Sequence, residues 1–200
     1  MNNSVSKSRI KIKPFRILIA AYVNLNAVDG SAFFVAGLAR MLASSPSNEI
    51  TILSPNPIER SVVVSELAGL SNVTIVEPLD ESLAELHSNS QGSFDRSQFS
   101  QAIALLDSKS CFDAVLVRDN LVAVKAIEYN AELASKLAAY VTGVRWLDEE
   151  VPVETLTLLR RLAEAETQLL CQTPEMASLV EDSLRNSRPR IALLEPHVPI

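Results

Sequence analysis

Residues 15–54, FRILIAAYVNLNAVDGSAFFVAGLARMLASSPSNEITILS, decide the fold because they predict a strand, a loop, a helix and a second strand in succession. Phe15–Val23 is an unbroken apolar run, as expected for a strand that is buried on both faces of a parallel sheet. Glu49–Leu53 is a second short strand, rich in β-branched residues. The stretch is therefore a βαβ unit, and its loop at residues 24–31 lies at the edge where open α/β sheets bind ligands.

The same alternation of strands and helices continues along the rest of the chain. Helices are predicted at residues 58–70, 97–106 and 121–130, and two more begin near Pro152 and Thr173. Such alternation predicts an α/β fold: a Rossmann-like, doubly wound, mostly parallel sheet of about seven strands with helices on both faces. The strands that follow the first two are predicted at residues 73–76, 112–117, 137–141, 167–171 and 190–194.

Composition and charge exclude several classes of protein. The chain has 200 residues, is 48% hydrophobic and carries a net charge of −6, so a broad surface for nucleic acid is not expected. Cys111 and Cys171 form neither a metal-ligand spacing nor a disulfide framework, which is typical of reduced thiols in a cytoplasmic protein. No apolar run approaches the roughly 20 residues that a transmembrane helix needs.

The two ends of the chain differ from its centre. Residues 1–13 carry Lys7, Arg9, Lys11 and Lys13 and predict a disordered or edge-paired arm. An alternative is that these charges attract the protein to the anionic inner face of a membrane, as a peripheral contact. Residues 14–196 form the predicted domain, and Pro196 and Pro199 predict that an interdomain linker starts at residues 197–200.

The loop after the first strand allows two interpretations. Gly30 stands alone where a dinucleotide fingerprint needs three glycines, and no Walker loop is present, so a small α/β oxidoreductase or a nucleotide-binding protein is less well supported. Gly30 and Ser31 nevertheless place a small residue and backbone amides at a helix N-terminus, which is typical of an anion site. The alternative is that Gly30 only permits the turn and Ser31 only caps the helix.

Polar clusters follow three of the predicted strands, at residues 118–120, 142–149 and 172–173. They share the edge at which open α/β sheets bind ligands, which favours a binding role for the group. Each residue also has a structural interpretation: Asp119 can cap the next helix, and Asp148 can belong to a solvated helix start. His87 and His197 have no nucleophile or carboxylate cluster at a suggestive spacing, so no metal site is predicted.

Four segments of the chain carry a family likeness. They are the opening one (FRILIAAYV, DGSAFFVAGLARMLA and NEITILSP), AELASKLAAYVT at residues 131–142, LLCQTPEM at residues 169–176 and IALLEPHVP at residues 191–199. These segments resemble glycosyltransferases of the GT-B fold, especially the retaining glycosyltransferase family 4. The resemblance spans about residues 14–199 and implies the N-terminal, acceptor-side half of such an enzyme.

The resemblance implies a division of labour between two domains. The missing C-terminal domain, or a partner subunit, would hold the nucleotide-sugar donor, and the loop at Gly30 and Ser31 would close over the donor diphosphate. Asp29 stands where the family often has a first glycine, and the loop at residues 143–148 lacks the histidine that some members use. The candidates for contact with the sugar acceptor are Arg118, Asp119, Thr142, Arg145, Asp148, Gln172 and Thr173.

The resulting expectation is a cytoplasmic glycosyltransferase half that serves envelope or polysaccharide synthesis. The nucleotide sugar is a substrate, so no cofactor is expected, and the isolated chain should not catalyse transfer. The alternative is a non-catalytic Rossmann-like interaction module, or a subunit of a split glycosyltransferase, which the replacement of glycine by Asp29 favours.

Overall fold

The computed structural model describes residues 13–60, 62–89, 92–142 and 151–195, and in these residues seven parallel strands form one sheet. The strand order is β3-β2-β1-β4-β5-β6-β7, so the chain reverses its direction of travel across the sheet between β1 and β4. All neighbouring strands pair in parallel. The strands are β1 (Phe15–Ala21), β2 (Asn48–Leu53), β3 (Val73–Val76), β4 (Ala114–Arg118), β5 (Leu137–Tyr140), β6 (Gln168–Cys171) and β7 (Arg190–Leu193).

In the described ranges, helices connect consecutive strands except β2 and β3, and side-chain caps define several of the helix starts. Asp95 accepts a hydrogen bond from the backbone amide of Gln98 in a reciprocal capping box, and Thr173 caps the helix that Pro174 opens. The α-helices are α1 (Gly30–Ala43), α2 (Arg96–Ser110), α3 (Asn120–Tyr129), α4 (Val153–Glu164) and α5 (Pro174–Ser183), and 3₁₀ turns cover Glu81–Asn89 and Ala131–Ser135.

Two apolar clusters cover the two faces of the sheet. The larger joins α2, α3, α4 and α5 to one face, with Phe99, Ile103, Val122 and Leu159 among its buried side chains. The smaller joins α1 to the other face around β1 and β2. Burial on both faces explains why β1 reads as an unbroken apolar run, and it confirms the predicted doubly wound α/β fold.

The predicted helix at residues 58–70 is wrong, because residues 62–69 form successive turns. Three consecutive valines at 62–64 and Gly69 oppose a helix, since β-branched side chains lose rotamer freedom there and glycine adds backbone entropy. Val63, Val64 and Leu67 are nevertheless buried in the smaller cluster beside α1. The segment therefore covers the sheet as a helix would, without forming one.

Parts of the expected organisation lie outside the described residues. They are the predicted basic arm apart from Lys13, the loop at residues 143–150 and the predicted linker. Among the described residues, no helix is long and apolar enough to cross a membrane.

Candidate binding site at the sheet switch point

The strand order reverses between β1 and β4, which makes the carboxyl ends of these two strands the switch point of the sheet. Ala21 of β1 is aligned with Arg118 of β4, and the backbone amide of Tyr22 donates to the carbonyl of Arg118 at 3.3 Å. Beyond this point the chain turns from β1 to α1 on one face and from β4 to α3 on the other. Loops that diverge in this way leave an open crevice, and ligands of doubly wound sheets bind there. We call it the switch-point crevice.

Asp29, and not Ser31, caps the first helix. One oxygen of its carboxylate accepts hydrogen bonds from the backbone amides of Ser31 and Ala32, both at 2.9 Å. Asp29 has an extended backbone, with φ −135° and ψ 167°, as an N-cap residue requires. These amides are the groups that would otherwise receive a bound anion, so the side chain of Asp29 takes the place of an external anion at α1.

Ser31 lies instead against Arg118, which fulfils the expectation that the strand-end cluster and the glycine loop share one edge. Arg118 donates from Nη2 to Ser31 Oγ at 2.9 Å, although the two residues are 87 positions apart. Arg118 is half-buried, and within the described residues no carboxylate lies within ion-pair distance of its guanidinium.

Asp119 has a strained backbone directly after β4. Its φ of 127° lies in the region that favours glycine. Its carboxylate accepts hydrogen bonds from the amides of Leu121 and Val122 at 3.0 and 3.1 Å, which caps α3 as the sequence suggested. The second oxygen of that carboxylate accepts a bond from Arg96 Nε at 2.8 Å. Strained residues held by such contacts occur often at functional sites.

Arg96 and Tyr22 complete this side of the crevice, and sequence reasoning missed both. The hydrogen bond and charge of Asp119 raise the pKa of Arg96, whose guanidinium carbon lies 5.0 Å from the centre of the Tyr22 ring. Tyr22 donates from its hydroxyl to the carbonyl of Phe94 at 3.0 Å. The available signal was the position of Arg96 at the start of α2, directly after the Asp95 cap.

The other predicted acceptor residues are distributed along the same edge. Thr142 follows β5, and its carbonyl accepts a hydrogen bond from Asn120 Nδ2 at 2.9 Å. Gln172 and Thr173 follow β6, two strands away from β4, and the Thr173 hydroxyl caps α5 by accepting from the amide of Met176 at 3.4 Å. Arg145 and Asp148 lie outside the described residues.

Other described parts of the molecule bring fewer polar and charged side chains together. Within the described ranges, no group of three or more His, Cys, Asp or Glu side chains converges as a metal site would require. A groove of about 390 Å³ lies between α1 and residues 62–67, with Phe33, Met41 and Val62 among its lining residues. It is mostly apolar and lies along α1, beside the sheet rather than at its carboxyl edge.

Comparisons with known proteins place the fold. The structure of TcCGT1 in complex with UDP matches 92% of this chain and 51% of its own, with a TM-score of 0.55 and 17% identity. A putative UDP-N-acetylglucosamine 2-epimerase from Listeria monocytogenes matches 89% of this chain and 44% of its own, with a TM-score of 0.54 and 12% identity. The enzyme of that name from Rickettsia bellii gives a TM-score of 0.53 at 7% identity.

These similarities show the fold: an all-parallel, Rossmann-like α/β domain of the kind found in GT-B proteins. The chain spans about half the length of the solved structures that it matches. No protein-family model matches the sequence, and no curated protein matches it. The chain thus has the architecture of one half of a GT-B protein.

Proposed function

We propose that this chain is the N-terminal, acceptor-binding half of a GT-B glycosyltransferase that takes its sugar from a nucleotide-sugar donor. The observation that best supports this proposal is how much of each structure the alignment covers. About nine-tenths of this chain aligns with about half of TcCGT1 and about half of the Listeria monocytogenes epimerase, and both of these structures have the GT-B fold. A transferase of this kind needs a second domain or a partner subunit for the donor, so the isolated chain should be inactive.

The switch-point crevice is the proposed acceptor site. Arg118 ends β4, Asp119 follows it directly and Thr142 follows the neighbouring strand β5, so three of the predicted acceptor residues share one part of the sheet edge. Gln172 and Thr173 lie farther along that edge. The crevice presents guanidinium, carboxylate and hydroxyl groups, which are the hydrogen-bonding partners that a polyhydroxylated acceptor requires.

The donor role of Gly30 and Ser31 meets a specific obstacle. Asp29 already bonds to the amides of Ser31 and Ala32, and its negative charge opposes a diphosphate at the same place. Donor contact in this half would require the Asp29 side chain to rotate away. We therefore assign the donor mainly to the second domain, and Gly30 to the turn that allows α1 to start.

A non-catalytic interaction module, or a subunit of a split glycosyltransferase, is the second candidate. The observation that favours it is again Asp29, because a chain that has lost donor chemistry can keep a carboxylate on these amides. This candidate predicts the same fold without saccharide binding in the crevice.

Titration of ¹⁵N-labelled protein with saccharides and with UDP- and GDP-sugars tests the proposal. Acceptor-like saccharides should shift the amide resonances of Ser31, Asp119 and Thr142, and calorimetry should show no tight binding of a nucleotide sugar. Tight nucleotide-sugar binding by these 200 residues would contradict the assignment of the donor to another domain. A crevice that responds to neither class would favour the interaction module.

A further inference from the structure

Arg118 carries a positive charge that the described part of the protein does not neutralise. A guanidinium has five N–H donors, and the hydrogen bond to Ser31 Oγ at 2.9 Å uses one of them. The other donors have no hydrogen-bond partner in the described residues. Because Arg118 is partly removed from water without a carboxylate partner, its charge is incompletely compensated, which costs free energy. Its position at the ligand-binding edge indicates that the partner is a bound anion.

Tyr140 supplies a second polar group that has no hydrogen-bond partner among the described residues. It is aligned with Arg118 in the β4–β5 register, so both side chains project from the same face of the sheet. Tyr140 is only 5% exposed, and its hydroxyl has no hydrogen-bond partner among the described residues. The hydroxyl oxygen is not among the fully buried orphaned atoms, so it keeps access to solvent.

The surroundings of Tyr140 hold its ring in place beside Arg118. Phe34 of α1 stacks on the ring, with the centroids 4.6 Å apart and an angle of 26° between the planes. Burial raises the pKa of the Tyr140 hydroxyl, and the charge of Arg118 acts in the opposite direction, so the two groups are close enough to interact. The hydroxyl therefore remains a protonated donor at neutral pH.

We propose that Arg118, Ser31 and Tyr140 form a subsite for a phosphate group carried by the ligand of the switch-point crevice. The Ser31 hydroxyl accepts from Arg118, and its own hydrogen remains available to a ligand. Three side chains thus offer donors around one positive charge, and a phosphate has the several acceptor oxygens that such a site requires. This inference rests on the crevice being a ligand site, as proposed above, but not on the ligand being a saccharide.

The site differs from the phosphate sites that helix N-termini form. Asp29 occupies the amides at the start of α1, so the subsite depends on side chains instead of backbone donors. The Asp29 carboxylate, which bonds to the amide of Ser31, also brings an opposing charge, and it should weaken the subsite without removing it. We expect millimolar affinity for a lone phosphate and tighter binding for a ligand that also fills the crevice.

Titration of the full chain with inorganic phosphate, glucose 6-phosphate, glucose and UDP tests this subsite. The readouts are the Arg118 Nε–H and Ser31 amide resonances and the dissociation constant from calorimetry. Phosphate and glucose 6-phosphate should shift these resonances saturably, and glucose alone should shift the Arg118 Nε–H much less. If UDP binds at the same groups, the phosphate subsite stands but belongs to the donor, which contradicts the acceptor assignment and not the subsite.

Substitutions separate a specific site from general electrostatic attraction. Arg118→Gln should weaken phosphate binding about 10- to 100-fold, because it removes charge-assisted hydrogen bonds. Tyr140→Phe should weaken it about fivefold, since it removes one neutral donor and keeps the stacked ring. Arg160→Gln is the matched control, because Arg160 is exposed on α4 on the opposite side of the sheet, and it should leave binding unchanged.

Two results would overturn the subsite. One is phosphate binding by Arg118→Gln that equals that of the Arg160→Gln control. The other is the absence of any saturable shift at Arg118 and Ser31 in the unaltered protein. Thermal unfolding of each variant shows that it is folded, and Tyr140→Phe gives an independent reading if Arg118→Gln fails to fold. Saccharide binding without phosphate binding would disprove the subsite and leave the proposed function intact.

Discussion

The Asp29 carboxylate accepts a 2.9 Å hydrogen bond from the backbone amide of Ser31, so the first helix of this protein carries its own anion. The same oxygen also accepts from Ala32. A helix N-terminus at the carboxyl edge of a parallel sheet would otherwise be an anion site. In the crevice, the first backbone amides of α1 therefore already have an acceptor, whereas most of the N–H donors of Arg118 have none among the described residues.

Replacement of Asp29 by glycine should create an anion site at α1. Asp29→Gly frees the amides of Ser31 and Ala32 and removes a negative charge, so we expect pyrophosphate to bind at least about tenfold tighter than to the unaltered protein. Stability should change by only a few tenths of a kcal/mol, because glycine is a tolerated N-cap residue. Calorimetry with pyrophosphate and urea unfolding measure the two effects.

Asp29→Asn is the control for this change, since its side-chain oxygen can still cap the helix. It should gain less affinity than Asp29→Gly, whereas Asp29→Ala should lose about 1 kcal/mol of stability with the cap. Equal pyrophosphate affinity in all three variants and the unaltered protein would show that the amides of α1 are not an anion site.

The strain at Asp119 should appear as a difference between glycine and alanine. Asp119→Gly and Asp119→Ala both remove the cap of α3 and the bond to Arg96. Only alanine retains the steric cost of a φ of 127°, so the glycine variant should be the more stable by about 1–2 kcal/mol. Urea unfolding measures this difference, and indistinguishable midpoints would mean that the backbone relaxes here at no cost.

The buried ion pair of Asp107 and Lys136 should be the most sensitive polar contact in the described core. Their side chains are 4% and 22% exposed, and Lys136 Nζ lies 2.7 Å from Asp107 Oδ1. Asp107 also accepts from Asn130 Nδ2 and the amide of Phe112, both at 3.2 Å. Lys136→Met leaves this carboxylate without its counter-charge, so we expect a loss of about 3 kcal/mol in the free energy of unfolding.

Arg185→Met is the surface comparison for that experiment. It breaks the pair of Arg185 and Asp182, whose side chains are 74% and 65% exposed, and it should change stability by less than about 1 kcal/mol. If the two methionine variants lose the same stability, the Asp107 pair does not act as a buried contact.

Cys171 should make the protein less stable at alkaline pH. Burial raises the pKa of its thiol to about 11, above the value of 9.0 for an exposed cysteine. Between these two pH values the unfolded chain loses the proton first, so stability is full below pH 9 and falls as pH rises towards 11. A difference of two pKa units corresponds to a loss of about 2–3 kcal/mol.

Unfolding of the unaltered protein and Cys171→Ala across pH 8–11 isolates this contribution. Tyr140 acts in the same direction, because burial raises its pKa and the charge of Cys171 raises it further. It is present in both proteins, so all of its contribution except this coupling to Cys171 cancels in the comparison. The alanine variant should show the shallower pH dependence. Thiol labelling at pH 8 gives a second check: exposed Cys111 should react in the folded protein, and buried Cys171 should react only on unfolding.

Much of the fold followed from local pattern. Hydrophobic runs bounded by turn residues identified the seven strands, and the Thr173-Pro174 pair identified the start of α5. The predicted strand bounds are correct to within about two residues. A sequence pattern cannot locate the ends more closely, because fraying and turns decide where an element stops. The pattern failed at residues 62–69, where buried apolar residues at mixed spacing cover the sheet from a series of turns and not from the predicted helix.

Only part of the candidate site could be predicted from the sequence. That polar residues would gather at the carboxyl edge was predictable, because every parallel strand ends at the same edge. That Arg96 bonds to Asp119 and stacks on Tyr22 was not, since residue 96 begins a helix far from either strand end in the sequence. The cap at Asp29 was also missed, although an aspartate before a helix is a recognisable N-cap signal.

The sequence by itself determined the seven strands, most of the helices and that the strands run parallel, because periodicity, caps and short connections are local properties. Only the tertiary structure decided that β4 lies beside β1, and therefore that Ser31, Arg118 and Tyr140 meet. Strand order depends on how the two apolar faces of the whole sheet are covered, and no single segment carries that information. The unsatisfied charge at the switch point is a product of that order.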